Sequence, residues 1–188
     1  MSAVIAYSVG IILALCAAKI LFNFIRAVVL RVSFYKRIKK LCKDKGYEMT
    51  KKRGMFASFF RITKKADFTV EARGERYSVR LITCFAHKRA YHFINDRYYV
   101  QFARFGYILP MSRSINKIRF FEKLKKLPEL NADEGENIKQ ILLLNPSPME
   151  VFQLEDGRMK KSLVVDGAVM YGWQVYGAGG FLKMLNEK

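Results

Sequence analysis

Ala3–Ala18 reads AVIAYSVGIILALCAA, sixteen residues without a charge. At about 1.5 Å of rise per residue, a helix covers roughly 24 Å before Lys19, close to the far edge of a ~30 Å hydrocarbon slab. The lysine stem is long enough to lift its ammonium into the headgroups. Apolar residues continue through Ile20, Leu21, Phe22, Phe24, Ile25, Val28, Val29 and Leu30, while Lys19, Asn23 and Arg26 share one helical face at i, i+4 and i+7. The pattern predicts a spanning helix over about residues 2–22 that runs on as an amphipathic stretch near the membrane surface. A cleaved signal peptide would place bases before the apolar run, and here they follow it. Lipoprotein-type processing at Cys16 would ask for Gly or Ala where Leu15 stands. A buried core helix is the competing reading.

Outside this run the chain is strongly basic. Its 188 residues carry 34 Lys and Arg against 16 Asp and Glu, a net charge of +18. With 51% hydrophobic and 14% aromatic residues it is too apolar for a disordered polycation. Cys16, Cys42 and Cys84 are too few and too scattered for a disulfide scaffold, and no repeat, zinc-module spacing or Rossmann fingerprint occurs. Residues 32–66 hold twelve Lys and Arg against Asp44 and Glu48 alone. Bases on one side of the apolar run predict the N-terminus outside the cell membrane and residues 32–188 in the cytoplasm. Reduced cysteines agree with that compartment.

Phe34, Ile38, Leu41 and Cys42 recur at helical spacing, so VSFYKRIKKLCKDKGY reads as an amphipathic helix closed by Gly46. Its polar face carries Lys36, Arg37, Lys39, Lys40 and Lys43, with Lys51, Lys52 and Arg53 just beyond. Beside a spanning helix these eight are the candidate polyanion site. Anionic lipid headgroups are attracted at about 1 kcal/mol per base near the surface. Nucleic acid is the alternative partner, since backbone phosphates attract the same cations. No helix-turn-helix, RNA-binding aromatic signature or finger spacing accompanies them. Three segments follow: 1–31, a transmembrane helix with its juxtamembrane extension; 32–53, the basic neck; and 54–188, a domain on which the neck helix packs.

Beyond the neck the period shortens to two. Met55–Ile62 is a candidate strand. Phe68, Val70 and Ala72, then Tyr77, Val79 and Leu81, alternate with polar residues around an Arg73-Gly74 turn. Tyr91–Ile94 and Tyr98–Phe102 read as a second pair turned at Asn95-Asp96. Ile115, Ile118, Phe121 and Leu124 follow helical spacing between Ser114 and Pro128, and Leu130–Asn137 is a polar loop. Ile138–Leu144 is a continuous apolar run, as in a strand buried on both faces. Asp156-Gly157 and Asp166-Gly167 signal turns, and Phe181, Leu182 and Leu185 a closing helix. The fold class is α+β: one N-terminal transmembrane helix, then a single mixed-sheet domain with flanking helices.

The order helix, strand, hairpin, helix, buried strand resembles the restriction-endonuclease-like, or PD-(D/E)XK, fold over roughly residues 34–145. Gly46-Tyr47-Glu48-Met49 resembles the exit from that family's first helix. Lys65-Ala66-Asp67-Phe68-Thr69-Val70 is similar to the strand that delivers its first metal-binding Asp, and Glu75–Ile82 to the next strand. The resemblance implies a catalytic role for Asp67 only in a membrane-tethered, Mg-dependent nuclease. Arg80 and Ile82 stand where active members carry Glu-x-Lys, so the likeness implies a degenerate domain that binds without catalysis. The tail, with Asn145-Pro146-Ser147-Pro148, Asp166-Gly167 and Gly177-Ala178-Gly179-Gly180, resembles uncharacterised bacterial single-pass membrane proteins.

Other chemistry-bearing groups are weak. Cys84, His87 and His92 lack a fourth metal ligand and, as a nucleophile pair, an orienting acid. The Gly177–Gly180 run could cradle a phosphate but lacks the Walker lysine and Rossmann spacing. Phe56, Phe59, Phe60 and Arg61, or Tyr98, Tyr99, Phe102 and Arg104, mix rings with cations as a base-stacking platform would, though alternation turns most of those rings inward. Trp173 fits a surface anchor or core packing equally. No metal site and no cofactor is expected, and no protein partner is specified.

Overall fold

A computed structural model describes residues 2–51, 66–83, 89–94, 97–102, 125–126, 138–154 and 161–187. The first element is one helix, α1, Ser2–Lys45, 44 residues and about 66 Å long. The spanning and neck helices read from the sequence are therefore continuous. No proline occurs before Pro110, and Gly10 is the only glycine before Gly46, so nothing in the chain interrupts the helix. It ends at Gly46, whose φ of +70° suits glycine. Tyr47 N–H donates to Cys42 C=O at 2.8 Å and Gly46 N–H to Lys43 C=O at 3.4 Å, the paired bonds of a Schellman cap.

The strands are β1 Glu48–Lys51, β2 Phe68–Ala72, β3 Glu75–Thr83, β4 Arg89–Ile94, β5 Arg97–Phe102, β6 Lys125–Lys126, β7 Ile138–Asn145, β8 Glu150–Leu154, β9 Lys161–Leu163, β10 Ala168–Met170 and β11 Trp173–Gly177. A ten-residue helix, α2, Ala178–Glu187, follows. The α+β class holds, but the strands divide between two sheets, β1-β2-β3-β7-β11-β10 and β6-β5-β4-β8-β9. In the first, β3 pairs parallel with β7 and β7 with β11, while β1, β2 and β10 pair antiparallel. In the second, β4 runs parallel to β8 and antiparallel to β5.

Alternation along the central strands assigns the layers. Phe68, Val70, Ala72, Tyr77, Val79, Leu81, Ile141 and Leu143 pack against Phe34, Ile38 and Cys42 of α1 and Phe181 and Leu185 of α2. On the opposite face Ile82, Leu142, Leu144, Trp173 and Val175 meet Tyr91, Phe93, Tyr98 and Val151 of the second sheet. The described residues thus form three layers: helices, first sheet, second sheet. Strand β7 is covered on both sides along Ile141–Leu144, its four consecutive apolar residues; the expected run over Ile138–Leu144 is interrupted by half-buried Lys139 and Gln140. Trp173 is core packing, 2% exposed. Arg73 and Gly74, at φ +53° and +78°, make the two-residue turn between β2 and β3. The Met55–Ile62 strand, the 115–124 helix, the 130–137 loop and the Asn95-Asp96 and Asp156-Gly157 turns lie outside the described residues.

Candidate membrane-proximal site

Helix α1 changes environment along its length. Tyr7, Ile11, Leu13, Leu15, Ile20 and Phe22 are 62–76% exposed, on every side of the helix. Apolar surface of that extent is not left to water in a monomer. The segment is long and apolar enough to cross a membrane. From Ala27, 7% exposed, onward, the same helix sinks into the domain: Phe34, Ile38 and Cys42 are 4%, 0% and 3% exposed.

Two polar contacts fix the point of entry. Arg31 and Asp67 form an ion pair, Nη2 to Oδ1 3.3 Å, with side chains only 4% and 5% exposed. The other Asp67 oxygen, Oδ2, accepts the Leu81 backbone N–H at 2.7 Å. Asn145, at the end of β7, donates its side-chain amide to the Leu30 carbonyl at 3.2 Å. Asp67, the metal ligand implied by the endonuclease-like resemblance, therefore ties the turn of α1 at its entry into the domain to the sheet. Arg80 is buried on the opposite face of β3, among the inter-sheet residues.

The basic residues separate by position. Lys36, Arg37, Lys39, Lys40 and Lys43 are exposed along the docked half of α1, and Lys51 is exposed on the edge strand β1. Lys52 and Arg53 lie outside the described residues. Lys43 and Lys45 occupy the last turn of α1, where cations favour the negative end of the helix dipole.

The glycine run at the head of α2 is filled by the protein itself. Asp166 Oδ1 accepts Gly177 N–H at 2.7 Å, and Ser147 Oγ accepts Gly179 N–H at 2.7 Å. A Cβ on Gly180 would stand 1.9 Å from Asp166 Oδ2. These glycines are small because a carboxylate and a hydroxyl occupy the place a bound phosphate would take. Gly180→Ala should displace Asp166 from this cap and cost about 1–2 kcal/mol in denaturant unfolding, while Asp166→Asn, which keeps an acceptor, should cost less.

A second polar group gathers where β3 meets β7. Glu75 accepts the Tyr77 hydroxyl and pairs with Lys139 at 2.5 Å. Burial pushes the Tyr77 hydroxyl well above the usual tyrosine range, and its bond to Glu75 adds to the shift. Burial raises Tyr176 as well, with Asp166 contributing and Lys139 opposing. Both hydroxyls are held in the neutral form. Because the folded-state value lies above the unfolded one, their stabilisation is complete below about pH 10 and falls as pH rises beyond it. Unfolding curves for the chain and Tyr77→Phe, taken from pH 8 upward, should converge with rising pH.

His92 is fully buried and stacks on Phe152 with ring centroids 5.0 Å apart. Cys84 and His87 lie outside the described residues, as do Phe56, Phe59, Phe60, Arg61 and Arg104. Among the described residues no three His, Cys, Asp or Glu side chains gather as a metal site. Tyr98 points into the inter-sheet core against Tyr91 and Phe93, so it offers no face for base stacking. The Arg31–Asp67 tie, across 36 residues, went unread in the sequence, where an arginine beside a membrane span reads first as topology charge. No protein-family model, curated protein or solved structure matches the chain.

Proposed function

We propose that the chain is a single-pass protein of the cell membrane, N-terminus outside, whose cytoplasmic domain is a binding module held at the inner leaflet with its membrane-proximal bases on anionic headgroups. The observation that carries this reading is the unbroken α1, apolar and uncovered at one end and a core element of the domain at the other. A helix shared in this way leaves no flexible linker, so the domain's height above the bilayer follows from residue count. Counted from Ile25, still 52% exposed, Lys36 stands about 16 Å along the axis and Lys43 about 27 Å. Helical side chains lean toward the N-terminus, here back toward the membrane, which lowers each ammonium by part of its stem.

The leaflet's potential decays over a Debye length of about 8 Å at physiological salt. The attraction therefore falls along α1, strongest at Arg26, weaker at Lys36 and Lys39, and weakest at Lys43. Strand β1 runs back along α1, and Lys51 Nζ sits 5.5 Å over the Tyr35 ring, which supports placing it level with the lower lysines.

Binding of the full chain, reconstituted in nanodiscs of phosphatidylglycerol or phosphatidylcholine, to labelled DNA and RNA tests the reading together with its topology. Protease added to inverted vesicles should digest the domain and spare residues before about Arg26. Sealed right-side-out vesicles should protect the domain. Tight nucleic-acid binding in both nanodiscs, or a domain cut from the outside, would overturn it.

A further inference from the structure

Beside the point where α1 enters the domain lies a cleft of about 410 Å³ lined by Val32, Tyr35, Lys36, Lys39, Met49 and Lys51. Helical spacing places Val32, Tyr35, Lys36 and Lys39 on one face of α1. The β1–β2 register, Lys51 to Phe68 and Met49 to Val70, turns Met49 and Lys51 toward that same helix. The cleft thus combines an apolar lining, Val32, Tyr35 and Met49, with three lysines, Lys36, Lys39 and Lys51. Lys51 is steered over it by the Tyr35 ring. Among the described residues no carboxylate pairs with Lys36, Lys39 or Lys51, although Glu75, Glu71, Asp67 and Glu187 each hold a base. Glu48, the nearest acid along β1, belongs to the other face of that strand.

Three cations around one cleft, none of them paired with a described carboxylate, repel each other, and an anion between them removes the cost. The shape of the helix face says which anion. Leu21, Ile25 and Val29 continue the line of Val32, Lys36 and Lys39 downward, and they are 58%, 52% and 58% exposed. An apolar track leads from the spanning segment into the cleft and ends in positive charge. A soluble phosphate has no use for the track.

We infer that this cleft is a specific site for one inner-leaflet phospholipid with an anionic headgroup, its phosphate held by Lys36, Lys39 and Lys51 and the upper part of its chains against Ile25, Val29 and Val32. The inference rests on the membrane reading above and adds stoichiometry to it: one lipid per chain in a formed site, beyond a diffuse attraction shared by every base.

Native mass spectrometry of the full chain released from nanodiscs of mixed phosphatidylglycerol and phosphatidylcholine tests it, against the triple variants K36Q/K39Q/K51Q and R37Q/K40Q/K43Q. Both triples remove the same charge from exposed positions, so circular dichroism melts should match the parent. The parent and the second triple should retain one phosphatidylglycerol. The first triple should lose its preference over phosphatidylcholine by about a hundredfold. Equal losses in both triples would overturn the site and leave diffuse lipid attraction standing. A parent chain with no preference for the anionic lipid would overturn the site and the lipid role together.

Discussion

Replacing Asp67 with alanine should destabilise the domain by about 3–5 kcal/mol, the largest loss expected from any single polar residue. Removing the carboxylate leaves the Arg31 guanidinium buried at 4% side-chain exposure without its counter-charge, and the Leu81 N–H without its acceptor. The double substitution Arg31→Met with Asp67→Leu should recover most of that loss, because a buried ion pair exchanged for well-packed apolar groups is often neutral. Denaturant unfolding of the full chain in detergent checks both. A single and a double variant that lose stability equally would mean the pair contributes through shape alone. The same result bears on any nuclease assay. Activity lost on Asp67→Ala would report unfolding as readily as metal loss, so Asp67→Asn, which keeps an acceptor for Leu81, is the variant to compare.

Ile38→Ala should cost about 2–5 kcal/mol, as truncating a fully buried core side chain does. Ile38 belongs to the residues of α1 that close the helix-side core over Phe68, Val70 and Ile141. Lys40→Gln, on the exposed face two residues on, should stay within about 0.5 kcal/mol. The contrast distinguishes a helix that is part of the domain from a tether that merely leads to it. If Ile38→Ala were as mild as Lys40→Gln, the docked half of α1 would be a leash and the height argument for the lower lysines would lose its basis.

How far the sequence could be read depended on the range of the interactions involved. The β2–β3 hairpin was legible because its signals are local: Phe68, Val70 and Ala72 alternate, and Gly74 marks the turn. So was the core of β7, since the consecutive apolar residues Ile141–Leu144 suit a strand covered on both faces. Strand β1 was not. Glu48–Lys51 is EMTK, an edge strand with Met49 as its one apolar residue, and its pairing with β2 depends on residues twenty positions away. The division of strands between two sheets was likewise hidden, because parallel pairs such as β3 with β7 and β4 with β8 carry no turn signal of their own.

The site divided in the same way. The exposed lysines could be found by helical periodicity. Convergence of Lys36, Lys39 and Lys51 could not, since Lys51 reaches α1 only through strand pairing. The glycines at the head of α2 are compatible with a phosphate cradle by sequence, and Asp166 and Ser147, distant in the chain, fill it.

Alkaline carbonate extraction of membranes carrying the full chain tests the shared helix most directly. Extraction at high pH strips proteins held by charge alone and leaves those that cross the bilayer. The chain should stay wholly in the pellet and enter solution only with detergent. Release into the supernatant as a folded, monodisperse protein would contradict it, because Tyr7–Phe22 would then have found cover other than lipid.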